Sequence, residues 1–138
     1  MKILKKTTIF MLSLLLLALT ACGGSELPSG MNVDELMAAG QKVALLLVEG
    51  EYEAVYELLR EDQRALTTVE QIEQAVNSQL DGAGVYKQIE KRMTSGTTIE
   101  GERYGAVMLY CEFSEEDVLV RLFFDPQLQL VGFSLKQD

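Results

Sequence analysis

The side chains of this 138-residue sequence that could do chemistry include two cysteines, five tyrosines and 21 carboxylates, and there is no histidine. Without an imidazole, the Ser-His-Asp triad, the Cys-His pair and the imidazole metal site are all removed at once. Cys111 lies in an alternating stretch whose odd positions, Val107, Leu109, Cys111 and Phe113, are apolar. That pattern reads as a buried, inert thiol; the alternative is a redox or ligand-contacting thiol with no imidazole to activate it. Tyr56, Tyr104 and Tyr110 either line a pocket or pack with their hydroxyls in water. Glu61 and Asp62 sit beside a break in helical pattern, where capping and solvation explain them; acid–base work would require a pocket and a shifted pKa. Glu115, Glu116 and Asp117 lack the alternating spacing and the glycine of a calcium loop and read as a solvated turn. The residues predict no catalytic constellation, metal site or cofactor. Tyr56, Tyr110 and Cys111 remain as ligand-binding candidates.

Cys22 has a different setting. Three lysines, Lys2, Lys5 and Lys6, precede an apolar run from Ile9 to Leu19, and Leu19-Thr20-Ala21-Cys22 follows at its end. The run is too short for a spanning helix, which needs roughly 20 apolar residues. A basic start, a short apolar middle and a small residue before the cut describe an export signal; an uncleaved anchor is the alternative. The four residues resemble the lipobox of bacterial lipoproteins. That resemblance implies that Cys22 becomes the lipidated first residue of the mature protein, on the outer face of the cell membrane. Residues 1–21 are then the signal peptide. Residues 22–31, rich in Gly, Ser and Pro, read as a flexible tether. Residues 32–138 form the domain. With Cys22 modified, Cys111 has no partner for an intramolecular disulfide.

Three of the 12 basic residues and none of the 21 acidic ones lie in the first 21 positions, so the remainder carries nine against 21, a formal charge of −12. Such a surface repels phosphate backbones, which argues against nucleic-acid binding, and it repels anionic head groups.

Helical spacing predicts three helices. Asn32 and Glu35 suit a first cap, with Leu36, Ala39, Val43 and Leu46 or Leu47 along the stripe and Gly50 as the stop. Tyr52, Val55, Tyr56 and Leu59 mark the second, which runs on or breaks near Asp62. Thr67 with Glu70 reads as a capping box for the third, whose stripe is Val69, Ile72, Val76 and Leu80. After Gly84 the period shortens toward two. Strands are expected over 85–93, 104–113, 118–125 and 128–135, with a loop over 97–103. In the last hairpin a two-residue loop would pair Leu122 with Val131, but Pro126 cannot supply the positive φ that such loops want. A type I turn with Leu128 left-handed suits the proline better and brings the opposite face of the last strand inward. Helices grouped before strands predict an α+β fold, with N-terminal helices packed on a curved four-stranded antiparallel sheet.

The segments Val48-Glu49-Gly50-Glu51-Tyr52-Glu53-Ala54-Val55-Tyr56, Leu109-Tyr110-Cys111-Glu112-Phe113 and Leu122-Phe123-Phe124-Asp125, with Gly132, resemble the bacterial extracytoplasmic family called domain of unknown function 3887. The resemblance runs from about Asp34 to Leu135. It implies a cystatin-like fold of the nuclear-transport-factor-two type, found alone on lipoproteins or beside hydrolase domains, with no assigned activity. The chain departs from it at Leu128, where glycine is usual, and at Val76, where an aromatic is expected. Isomerase-like members of that superfamily pair a tyrosine with a carboxylate, but no acid here matches by spacing. The expected function is therefore a membrane-anchored, non-catalytic module for a small apolar ligand or an envelope protein. The alternatives are a small cofactor-free isomerase-like enzyme and a structural homodimer.

Overall fold

The backbone elements follow from caps and side-chain periods that can be named one by one. The structure is a computed structural model and describes residues 26–138; the signal peptide, the lipobox and the lipid site at Cys22 lie outside the described residues. Four helices come first: α1 (Val33–Val48), α2 (Tyr52–Leu58), α3 (Glu61–Arg64) and α4 (Val69–Leu80). Strands β1 (Tyr86–Ile99), β2 (Glu102–Phe113), β3 (Asp117–Phe124) and β4 (Leu130–Gln137) follow and form one antiparallel sheet in sequence order. The α+β class and the helix-on-sheet arrangement are as expected.

Asn32 caps α1, its side chain accepting from the Glu35 amide at 3.0 Å. Leu36, Val43 and Leu47 form the buried stripe, and Gly50, at φ 79°, follows the end of the helix. The box at α4 lies one residue later than the sequence predicts. Thr68, not Thr67, is the cap; it accepts from the Gln71 amide at 3.1 Å, and the Gln71 side chain accepts from the Thr68 amide at 3.1 Å. Glutamine serves the third position as glutamate does, and with two threonines in a row either frame reads as a box. The second helical stretch does break, at Leu59 and Arg60, which are extended.

The sheet shows its core face by alternation. Val107, Leu109, Cys111 and Phe113 of β2 and Val118, Val120, Leu122 and Phe124 of β3 are all buried against the helices. Helix α1 approaches β2 so closely that a Cβ on Gly40 would lie 2.6 Å from Val107 Cγ1. Residues at the end of the expected tether also take part. Leu27 and Met31 pack against the core, and the Glu26 carbonyl lies against Gly96 and accepts from Arg103.

Two expectations about the strands change. β1 does not end at Met93 but runs to Ile99, and Glu100-Gly101 is a tight turn where a seven-residue loop was expected. Its second half, MTSGTTI, carries little apolar signal, yet β2 extends one regular register over it. The last hairpin takes the proline-compatible turn and then departs from both candidate registers. Pro126 is the second residue of a turn closed by the Leu128 amide on the Asp125 carbonyl at 2.9 Å, and Leu128 has φ 63°. Phe124 pairs with Leu130; a bulge at Val131 then shifts the ladder by one residue, so Leu122 meets Phe133 and Val120 meets Leu135. The candidate pairing of Leu122 with Val131 does not form; the extra residue gives the apolar side of β3 new apolar partners two positions further along β4.

Gly40→Ala sets helix propensity against this packing. Alanine favours a helix by about 1 kcal/mol over glycine, while overpacking a close contact costs about 1–3 kcal/mol. Val107 is fully buried and has nowhere to go, so denaturant unfolding of Gly40→Ala should show a net loss of about 1–2 kcal/mol. Unchanged or higher stability would mean that α1 does not sit this close to β2.

Candidate functional site

The break between α2 and α3 builds a polar cleft at one end of the sheet. Leu59 forms an isolated bridge with Leu130, and the Arg60 amide donates to the Leu130 carbonyl at 2.7 Å. This fixes the Arg60 backbone beside the start of β4 and aims its guanidinium at the β3–β4 turn. Nε and Nη2 grip Asp62 Oδ1 and Oδ2 at 2.7 and 2.8 Å; Nη1 reaches Asp125 Oδ2 at 3.4 Å and lies 3.9 Å from Glu102 Oε2. The guanidinium carbon sits 5.9 Å from the centre of the Tyr104 ring, and the Tyr104 hydroxyl donates to Glu102 at 2.5 Å.

Asp125 is the buried member, only 3% exposed. Its Oδ1 accepts from the Gln127 amide at 3.0 Å and the Gln129 amide at 2.8 Å, so the carboxylate closes the turn from within. Buried charge persists only where it is paired and hydrogen-bonded, and both oxygens here are occupied. The hydrogen bonds to Arg60 hold the Asp62 carboxyl below its ordinary value. The Asp62 pair in turn raises the Arg60 pKa further above its already high value. Tyr104 is raised first by its hydrogen bond to Glu102 and then by burial, so its hydroxyl keeps its proton.

Arg60, Asp62, Glu102 and Tyr104, with Gln63, Ile99, Glu100 and Val131, line a cleft of about 340 Å³, and Asp125 supports Arg60 from behind it. One guanidinium faces several carboxylates, so the cleft offers no free anion receptor. Among the described residues no group of three or more acidic or thiol side chains is placed to hold a metal ion. Beside it lies a second cleft of about 290 Å³, lined by Leu59, Leu66, Ile72, Ala75 and Phe133. The two share Gln63 and Val131 in their walls, so a polar and an apolar cleft adjoin.

Of the residues singled out from the sequence, Asp62 and Tyr104 line the polar cleft, whereas Tyr56, Tyr110 and Cys111 lie elsewhere. Tyr56, on α2, donates to the Arg64 carbonyl at 3.3 Å. Tyr110 and Cys111 point to opposite faces of β2. Tyr110 lies under Lys91, whose Nζ is 5.4 Å from the ring centre. Cys111 is buried, its Sγ 3.8 Å from the Leu109 carbonyl, and burial pushes its pKa up to about 11. Glu61, Glu115 and Glu116 are exposed. Arg60 and Asp125, which organise the cleft, were not singled out. They are 65 positions apart, and the one local signal was Asp125 before Pro126, a turn signature.

Replacing Asp125 with Ala would strand two amides and a guanidinium. We expect Asp125→Ala to lose about 2–4 kcal/mol by thermal or denaturant unfolding, and Asp125→Asn less, because it keeps one acceptor. A loss below about 0.5 kcal/mol for Asp125→Ala would show that the buried carboxylate does not hold the turn. The Asp62 pair adds a pH signature. A carboxyl lowered in the folded state contributes above its unfolded pKa and ceases to contribute as the pH falls through its folded value. That dependence, below about pH 4, should vanish in Asp62→Asn.

Comparison with known proteins supports the same fold. A protein from Ruminococcus gnavus ATCC 29149 whose structure was determined by NMR superposes with a TM-score of 0.67 at 22% identity, over 80% of this chain and 96% of that one. No curated protein matches. The model of the family described as "Protein of unknown function (DUF3887)" matches residues 40–133, from the glycine at the α1–β2 contact to the phenylalanine beyond the β4 bulge, and the chain belongs to that family.

Proposed function

We propose that the chain is a lipid-anchored extracytoplasmic protein whose domain is a non-catalytic binding module. The observation that carries the binding role is the groove of two adjoining clefts beside the start of β4, one apolar at Leu66, Ile72 and Phe133 and one polar at Arg60 and Tyr104. Its two parts are the size of a small ligand rather than a protein face. Leu66 is 77% exposed, which is unusual for a leucine beside an apolar cleft and suits a surface that a ligand covers. The non-catalytic part rests on how the reactive groups are engaged. The thiol is buried and protonated, the tyrosine hydroxyls of Tyr56 and Tyr104 have acceptors, and the buried carboxylate is saturated by two amides and a guanidinium. A general base needs a free lone pair facing a substrate; Asp125 accepts three hydrogen bonds and, 3% exposed, does not line the cleft.

The anchor and the groove are tested separately. Cells fed labelled fatty acid should label the wild-type chain, while Cys22→Ala should stay unlabelled and keep its full precursor length. Labelling of Cys22→Ala would end the lipoprotein reading. For the groove, full-length protein purified from membranes should carry an extractable small apolar molecule, detected by mass spectrometry. Leu66→Asp alters only an exposed side chain, so it should keep the wild-type unfolding curve and lose at least about tenfold of that molecule, as a charge in an apolar contact costs well over 1.4 kcal/mol. Equal recovery from both would remove the groove as the binding site.

A further inference from the structure

The two edges of the sheet are treated differently. The β4 edge is occupied at its start by Leu59 and Arg60, and α4 packs along it, with the Gln137 amide reaching the carbonyls of Gln79 and Asp81 at its far end. The β1 edge has no strand on it among the described residues. The first half of β1 is protected in the usual ways, by two bulges and by Lys87, Lys91 and Arg92. The second half, Met93 to Ile99, has no bulge, no proline and no charge. Among the described residues, Met93 and Ile99 are also the two large apolar side chains that strands leave exposed, at 39% and 44%.

We propose that this half-strand pairs antiparallel with the same half-strand of a second copy, about a two-fold axis at Gly96, giving one continuous eight-stranded sheet. The register follows from geometry. In an antiparallel pair, opposed residues both turn their backbone groups toward the partner or both turn them away. A regular strand already bonded on one side can therefore pair with itself only about an axis through a residue. An axis at Gly96 is the one such choice that sets Met93 opposite Ile99 of the second copy, and it also sets Thr94 opposite Thr98 and Ser95 opposite Thr97. The same axis brings Arg92 beside the β1–β2 turn of the second copy, whose first residue is Glu100, so opposite charges meet at each end of the paired segment.

Side-chain direction agrees with this. Met93 pairs with Met108 on the outer face, so Ser95, Thr97 and Ile99 share that face and Arg92, Thr94, Gly96 and Thr98 the helix face. Met93 and Ile99 of the second copy then lie on one surface. Such an interface is isologous and closes at two copies. The Glu26 carbonyl rests against Gly96, so the two chains enter side by side at the axis, on the helix side. Both lipid anchors of the preceding proposal would then reach one membrane, although the pairing does not rest on that proposal or on the groove.

The test uses the full chain in detergent and in membranes. Sedimentation should show a concentration-dependent monomer–dimer equilibrium. Arg92→Glu and Glu100→Arg should each weaken dimerisation about tenfold, because the two-fold axis makes each change break two ion pairs, and the double variant should restore it. Two differently tagged copies, one Met93→Cys and one Ile99→Cys, should form a disulfide under mild oxidation, while Met93→Cys with itself should not, since its two positions lie too far apart. Both positions are exposed, so folding is retained. A monomer at every concentration, charge reversals without effect, or equal cross-linking in the matched and self pairs would overturn the proposal.

Discussion

The buried carboxylate of Asp125 is the constraint on which this end of the fold depends. It accepts the Gln127 and Gln129 amides, which fixes the β3–β4 turn although its fourth residue, Leu128, is at positive φ. A left-handed leucine costs about 1–2 kcal/mol, and two charge-assisted hydrogen bonds are of the right size to offset it. The same carboxylate receives Arg60, which carries the α2–α3 break with it. With Arg60 held, Leu59 pairs with Leu130 and the start of β4 is no longer an open edge. One side chain thus links a strained turn, a helix break and the closure of one edge of the sheet.

Where one face of an element was wet and the other dry, the sequence alone located it. β2 and β3 alternate strictly, and their buried residues are those that the alternation indicated. The cap at Asn32 was equally plain, because a single side-chain acceptor stood at the right place. Failures came where that contrast was weak. Thr67 and Thr68 offer the same chemistry one residue apart, and only the backbone conformation chooses between them. The stretch Thr94 to Thr98 has no apolar period, so it reads as a loop until β2 is laid beside it. The turn was legible from Pro126, but the register beyond it was not, because the bulge at Val131 leaves no mark in the apolar pattern and shifts the ladder past either candidate.

The candidate site was less legible for a different reason. Arg60, Glu102, Tyr104 and Asp125 come from three parts of the chain, and no spacing rule connects them. Reading residue types in isolation favoured the thiol and the tyrosines, which are reactive in principle. The fold then surrounds Cys111 with apolar side chains and sends Tyr110 to the opposite face. Meanwhile an arginine that looked like one more surface charge became the centre of a cleft. Its neighbours form a network, in which a pair contributes more than an exposed ion pair, because Asp125 is held out of water and cannot be left alone.

Edge strands show the same division between local and global information. Closing the β4 edge requires Leu59 to leave the helix, and a helix seven residues long has little intrinsic stability to oppose that. Among the described residues the β1 edge has no comparable neighbour, since the helices lead into the sheet through α4 and Ala83 to Val85, at the far end of β1 from its bare half. An open edge is a hazard unless it is bulged, charged or covered. The chain bulges and charges one half of β1 and leaves the other regular, at the place where its exposed apolar residues stand symmetrically about a glycine. A strand that needed only to avoid partners would have no use for that symmetry, and a single lysine at Thr97 would remove the hazard at little cost to the monomer.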